Sequence, residues 1–306
     1  MKRQYREVSF TPKGAMVVKR CATLLEKYEA LGIRVTLRQL YYRLVAANVI
    51  ANTKQSYKWL SAVVSDARYA GLLDWDAIED RVRQPWTPQD YKTMREALQL
   101  TMDTYRLKRW RGQRHYVEIW VEKDALASVL EPLAARFHVT LMVNRGYSSS
   151  SAMYESAQRL MRRCNLPTWD GHDPSKKSKR PVVLYFGDHD PSGINMIDDC
   201  RDRLVEFGVE GLAFKRIALS YKQVESYACP PNPVKLTDSR AKGYIARWGR
   251  TCWELDAIDP PEFHKLVAAS IAPYLDQALM DKVKAAEEAD KGKLKKAMDD
   301  LWPEAA

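Results

Sequence analysis

The sequence predicts a mixed α/β protein: a mostly helical, basic N-terminal part followed by an α/β unit built on a parallel sheet. Two short apolar runs, 116–121 (YVEIWV) and 182–186 (VVLYF), lack helical spacing and read as buried strands. Helical stretches alternate with such runs over residues 115–219, the order expected of a parallel sheet with crossover helices. Ahead of them, apolar residues recur at i, i+3 and i+4 through most of residues 12–69.

The 306 residues have room for one to three domains, each with its own core. A hydrophobic content of 46% and a charged content of 29% are those of a soluble globular chain. No apolar run approaches the roughly eighteen residues of a membrane span, and the start, MKRQYREVSF, has no signal-peptide core. Five cysteines (Cys21, Cys164, Cys200, Cys229, Cys252) are scattered without a C-x-x-C, which argues against a disulfide framework or zinc site and for a reducing cytoplasm. The net charge is +10, and residues 1–70 hold 13 Lys and Arg against 4 Asp and Glu, a local balance of +9. Such a segment is the footprint of a nucleic-acid or other anionic partner.

The first helix spans about 12–31, with Met16, Val17, Cys21, Leu24, Leu25 and Tyr28 on one face and Gly32 as its stop. Thr36 opens the second, and Gln39 three residues on completes a capping box. A third runs from 54 to 69, its inward face Tyr57, Leu60, Val63 and Val64, with Lys54, Lys58 and Arg68 outside as candidate DNA contacts. Residues 72–83 supply a short hairpin. Three helices and a hairpin, the third helix basic, describe a winged-helix DNA-binding domain over 1–86, or a generic three-helix bundle. A connecting helix, 87–114, ends in the basic RLKRWRGQR, and 115–306 form the sheet domain with a C-terminal helical extension. The stretch 165–180 is a polar, basic surface loop, 221–244 is irregular because of its prolines, and 261–301 is helical with an exposed latter part.

Chemistry gathers at two predicted strand ends. Glu122 follows the first strand directly, with Lys123 beside it. Gly187 ends the later strand, and Asp188 and Asp190 stand one residue apart before Pro191-Ser192-Gly193 turns the chain into a helix. Carboxylates at i and i+2 past a strand end can reach one hard cation such as Mg²⁺ outside the sheet. The same residues are also ordinary turn formers. Alternation puts Glu118 on the face of Glu122, as a buried paired group or a second metal ligand. His189 faces phosphate or points outward as a spacer; Lys123 and Arg145 bind phosphate or serve as caps. Lys235, Arg240 and Lys242 line a DNA channel or are simply solvated.

A Glu after one strand and Asp-x-Asp after another is the layout of a Toprim domain. Four stretches, in order, resemble the A subunit of topoisomerase VI and the related meiotic double-strand-break transesterases. Thr36-Leu37-Arg38-Gln39-Leu40-Tyr41-Tyr42 is similar to the family's tyrosine motif, and Val121-Glu122-Lys123 to its Toprim glutamate motif. Arg145-Gly146-Tyr147 resembles its Gly-Tyr loop, with Ser148 where Pro is usual, and 187–193 resembles its Asp-x-Asp-Pro-x-Gly motif. The likeness covers roughly residues 10–270. In size the chain is closest to the standalone Mini-A-like proteins, and nothing in it reads as an ATPase site.

The resemblance implies a winged helix joined to a Toprim domain, with Tyr42 as nucleophile, Arg38 as phosphate or transition-state ligand, and Glu122, Asp188 and Asp190 as Mg²⁺ carboxylates. It implies a homodimer on double-stranded DNA that forms 5′-phosphotyrosyl links and staggered breaks, its sites shared between protomers, with any strand passage needing an ATPase partner. Arg38 and Tyr42, at i and i+4, share one helix face, and Tyr41 lies on another. The competing expectation is a hydrolytic Toprim nuclease with Tyr42 structural. A third is a non-catalytic DNA-binding protein. In each case the expected location is cytoplasmic and nucleoid-associated.

Overall fold

A computed structural model describes residues 2–78, 88–144 and 148–302. The N-terminal part begins with α1 (Pro12–Glu29), where Pro12 fits the first turn and the Thr11 hydroxyl accepts from Gly14 N. Helix α2 (Leu37–Ala46) starts at the expected capping box: Gln39 N donates to Thr36 Oγ1 and Thr36 N to the Gln39 side chain. Helix α3 (Lys54–Tyr69) is capped by Thr53. Gly71 ends it at φ +72°, against the backbone of Gln4, where a Cβ would come within 2.8 Å. Along α3, Lys54 and Lys58 are exposed as expected. Arg68 is not outside. Its guanidinium donates to the carbonyls of Trp75 and Ile78 and lies over the Trp75 ring, tying down the chain beyond the helix.

The hairpin expected over 72–83 does not form in 72–78. Asp76 N donates to the Asp74 carboxylate in a local turn, and Ile78 makes a lone parallel bridge to Val35. The rest of that span lies outside the described residues. The connecting helix is also shorter than expected: α4 (Met94–Thr104) stops well before Trp110. Tertiary contacts take over there, as Leu107 N donates to Glu287 and the buried Trp110 donates its indole N–H to the Phe137 carbonyl.

The sheet has four parallel strands, β1 (His115–Val121), β2 (Thr140–Val143), β3 (Arg180–Phe186) and β4 (Ala213–Ala218), in the order β2-β1-β3-β4. The crossovers are α5 (Ala127–Phe137), entered through a short 3₁₀ turn, α6 (Ser150–Cys164) and α7 (Pro191–Glu206). Alternation along β1 divides two cores. Val117, Ile119 and Val121 face an apolar cluster that continues without a break into α1, α2 and α3. Tyr116 and Trp120 face a second cluster under α6 and α7, with Val183, Tyr185, Met196 and Leu204. The helical N-terminal part and the sheet are therefore joined by shared apolar burial, the dominant favourable contribution to folding.

The segment expected to be irregular, 221–244, holds α8 (Tyr221–Ser226), β5 (Asn232–Pro233) and the start of α9 (Ala241–Trp248); beyond it β6 (Thr251–Cys252) pairs with β5 as a two-residue ribbon. Pro230 and Pro231 fall between α8 and the ribbon, and Pro233 ends β5, so no long helix runs through this stretch. The final helical region divides at a 3₁₀ turn holding Pro273 into α10 (Pro260–Ile271) and α11 (Gln277–Leu301). Its latter part is not simply exposed: Glu287 and Met298 are buried, and Glu287 receives Arg109 at 2.6 Å.

Candidate active site

In the order β2-β1-β3-β4 the chain leaves β1 to one side and returns on the other, so the carboxyl ends of β1 and β3 meet at a topological switch point, where open α/β sheets form their crevices. Glu122 and Asp188 emerge there side by side, and Asp188 N donates to Glu122 Oε2 at 3.0 Å. Two glycines make room for that carboxylate. A Cβ on Gly187 would come within 2.9 Å of Glu122 Oε2, and one on Gly193 within 3.1 Å. Asp190 caps α7, its Oδ1 accepting from Gly193 N at 2.6 Å.

Two further carboxylates, unassigned by the sequence reading, complete the cluster. His189 and Trp253 exchange backbone hydrogen bonds of 2.9 and 3.0 Å, laying residues 254–256 along the Asp188 loop. Leu255 N then donates to Asp188 Oδ1 at 2.8 Å. Glu254 and Asp256 flank the strand-end acids as a result. Lys123, expected to bind phosphate or serve as a cap, stands among them: its ammonium lies 2.7 Å from Asp188, 2.9 Å from Glu254 and 3.2 Å from Asp256. Arg216, also missed by the sequence reading, donates from β4 to the carbonyls of Asp188 and Leu219.

Helix α2 closes this cluster from the N-terminal side. Arg38 pairs with Glu254 and lies 3.0 Å from Asp256 Oδ2. Its guanidinium is 5.8 Å from the Tyr42 ring centre, so the expected shared face is present and aimed at the carboxylates within one chain. Tyr42 is buried rather than hydrated, its hydroxyl accepting from Asn232 Nδ2 at 3.4 Å. Tyr41 lies on a different face as expected, donating to Asn52, which in turn donates to Asn232. Arg145 falls outside the described residues. Among the other candidates, Lys235 and Lys242 are exposed, and Arg240 donates to Ser192 Oγ at 3.1 Å.

Electrostatics follow from crowding. Burial raises Asp188, and Glu122 and Asp256 add to it against the opposing pull of Lys123. Glu122 is raised by burial and by Asp190. Burial would raise Glu254 too, but Lys123 and Arg38 outweigh it and hold that carboxyl well below the usual range. The Tyr42 phenol is pushed up by burial and by Glu254 and Asp256. His189 is neither spacer nor phosphate contact. It is buried beside Tyr221, Trp248 and Trp253, its Nδ1 is 2.8 Å from the Tyr244 hydroxyl, and burial pushes it down to about 4.

Glu118 takes the paired role: Arg159 grips both of its oxygens at 2.9 and 3.0 Å, and Tyr116 and Trp120 donate to them as well. It is saturated. The edge cluster differs, because Asp256 Oδ2 is buried without an aligned hydrogen bond despite facing Arg38. Its donors are anionic oxygens at a crevice, a set that could hold a hard divalent cation. Among the described residues no three such side chains converge as a finished metal cage, since Lys123 occupies the centre and Asp190 is turned to its helix.

Comparison with protein-family models and with curated proteins gives no match to this chain.

Proposed function

We propose that this protein is a Mg²⁺-dependent DNA-cleaving transesterase of the topoisomerase VI A type, a winged-helix domain joined to a Toprim domain, acting on double-stranded DNA as a homodimer. One observation carries the reading: the Arg38–Tyr42 face of α2 docks on the carboxylate crevice, with Arg38 paired to Glu254 and Asp256. A generic helix bundle has no reason to aim an arginine and a tyrosine at the switch point of a neighbouring sheet.

Glu122, Asp188 and Asp190 would hold the cation, and the fit rests on their all-oxygen chemistry and on the buried Asp256 oxygen nearby, which faces Arg38 without an aligned hydrogen bond. When bound, Mg²⁺ supplies positive charge to a phosphodiester, easing the build-up of negative charge during attack. Lys123 then balances whichever carboxylates remain. The Tyr42 oxygen bonds to phosphorus as the bond from phosphorus to the 3′ oxygen breaks; the phenol gives up its proton and the 3′ oxygen gains one. The products are a 5′-phosphotyrosyl link and a free 3′ hydroxyl. Arg38 is placed to stabilise the charged phosphoryl centre once DNA draws it from Glu254. Among the described residues no helix is long and apolar enough to cross a membrane, and we assign the protein to the cytoplasm, on the nucleoid. Any ATPase needed for strand passage is a separate partner.

A second reading is favoured by a specific observation. The Tyr42 hydroxyl is buried and its pKa is raised, which suits a structural tyrosine in a hydrolytic Toprim nuclease. A plasmid cleavage assay with Mg²⁺, quenched with denaturant and split with and without protease, separates the two. Wild type that retains DNA as a protein adduct, lost in Tyr42→Phe, supports the transesterase. Adduct-free ends from both proteins reject it in favour of hydrolysis.

A further inference from the structure

A second charged feature lies at the opposite edge of the sheet, and the carboxylate site does not involve it. Where β1 and β2 begin, a cleft of about 970 Å³ opens between residues 108–112, the C-terminal ends of α5 and α6, and the loop joining α6 to β3. Its size is at the upper end for single-ligand clefts. Six cations line it without a carboxylate partner among the described residues: Lys108, Arg111, Arg162, Arg163, Lys177 and Lys179. Against them stands Asp173, already engaged by Lys176 at 2.6 Å.

Helix-end charge balance accounts for part of this. Arg162 and Arg163 sit in the last turn of α6, where cations suit the dipole. It does not account for Lys108, Arg111, Lys177 and Lys179, which lie on connecting segments. Lys179 is the most telling. It is half-buried, its ammonium donates to the Trp110 carbonyl with no carboxylate partner among the described residues, and burial together with Lys108 and Arg163 lowers its pKa.

The wall is built rather than loose. Asn165 donates to the carbonyls of Asp173 and Lys176 and accepts from Asp173 N, while Ser178 donates to the Asn165 carbonyl. The basic surface loop expected over 165–180 is thus pinned against α6. Gly171 lets the loop close over Trp169, since a Cβ there would come within 2.6 Å of the indole nitrogen. Trp169 is half-exposed at the cleft, with the Arg162 guanidinium 5.7 Å from its ring centre.

An electropositive cleft with an aromatic platform is what an unpaired nucleic-acid strand recognises: cations follow the phosphates and the ring stacks a base. A duplex presents phosphates but keeps its bases stacked within, so it makes no use of Trp169. We propose that this cleft binds a single-stranded nucleic-acid segment, at a site separate from the carboxylate crevice. The inference stands independently of the cleavage reading.

Fluorescence anisotropy with a labelled oligothymidylate, and with a duplex of equal length, tests it on the full chain. For the oligothymidylate, Arg163→Glu combined with Lys177→Glu weakens binding at least about tenfold and flattens its salt dependence. Trp169→Ala weakens it by about tenfold, the loss of one stacked base, and Trp169→Phe restores most of it. Both charge reversals are at exposed positions, so the fold is kept. Lys295→Glu with Lys296→Glu, exposed on α11 and not among the cleft residues, leaves oligothymidylate binding unchanged. The proposal is overturned if the α11 pair weakens strand binding as much as the cleft pair does or if Trp169→Ala has no effect. Equal competition by a mononucleotide or by polyglutamate overturns it as well.

Discussion

Two acidic positions four residues apart on and just beyond β1 have opposite surroundings. Glu118 is buried, and its two oxygens receive four donors from Arg159, Tyr116 and Trp120. Glu122, where the strand gives way to the crevice, joins Asp188, Asp190, Glu254 and Asp256, five carboxylates against three cations, Lys123, Arg38 and Arg216. The first carboxylate is satisfied and structural. The second belongs to a group with more negative charge than its neighbours neutralise, and one of its oxygens, on Asp256, lacks a hydrogen bond. A fold tolerates such a surplus where function requires it.

The largest expected effect sharpens that contrast at the crevice. Asp188→Asn should cut Mg²⁺-dependent DNA cleavage by about a thousandfold, as loss of a main electrostatic contributor does. Stability should not follow. The fold raises the Asp188 pKa, so its ionised form is disfavoured there, and neutral Asn should hold or raise the urea midpoint. Cleavage near wild type in Asp188→Asn would remove the crevice from the mechanism.

Glu118→Ala is the converse. It leaves the Arg159 charge without its partner, and breaking such a buried pair costs about 3–5 kcal/mol. Urea unfolding should show that loss, while cleavage per folded molecule is unchanged at a temperature where the variant remains native. If the variant is as stable as wild type, the saturated network is not what holds α6 to the sheet.

Legibility in the sequence followed the same division. The capping box at Thr36 and the strand ends before Glu122 and Asp188 are local signals that appear where expected, and the helix after Asp190 starts already at Pro191, within the residues expected to form the turn into it. Glu254 and Asp256 were visible as residues but carried no local sign of their role, because a backbone pairing between His189 and Trp253 brings them to the site. Arg68 was expected outside, and the ion pairs of Lys123 were not foreseen, for a related reason. A basic side chain on a helix or loop looks solvated in sequence, and only tertiary packing supplied the Trp75 and Ile78 carbonyls for one and three carboxylates for the other. The final helix shows the limit of composition: a Lys/Glu/Ala-rich stretch buries Glu287 because Arg109 and Leu107 N reach it.

A pH titration tests the aromatic floor of the crevice. His189 has a folded pKa of about 4, against about 6.5 when unfolded. Burial holds it neutral, so its contribution is full above the unfolded value and is lost as pH falls from there through 4. The amount is on the order of 3 kcal/mol. His189→Phe should flatten this part of the acid limb, while losing about 1 kcal/mol at pH 7 with the Tyr244 hydrogen bond. An unchanged slope in urea midpoints between pH 6.5 and 4 would mean that carboxylates alone carry the acid response.

The smallest effects separate two cations on α3. Lys58 is exposed, so Lys58→Ala should leave stability within about 0.5 kcal/mol. If α3 contacts DNA, it should also reduce the salt slope of duplex binding by about one. Arg68 serves the chain itself, through two carbonyls and the Trp75 ring, so Arg68→Ala should lower stability by about 1–2 kcal/mol and leave the salt slope alone. A reversed outcome, with Arg68 changing the slope and Lys58 the stability, would place the DNA-facing side of α3 on the wrong half of the helix. The comparison is sharp because both residues are on one helix in one basic segment, and net charge alone predicts the same result for each.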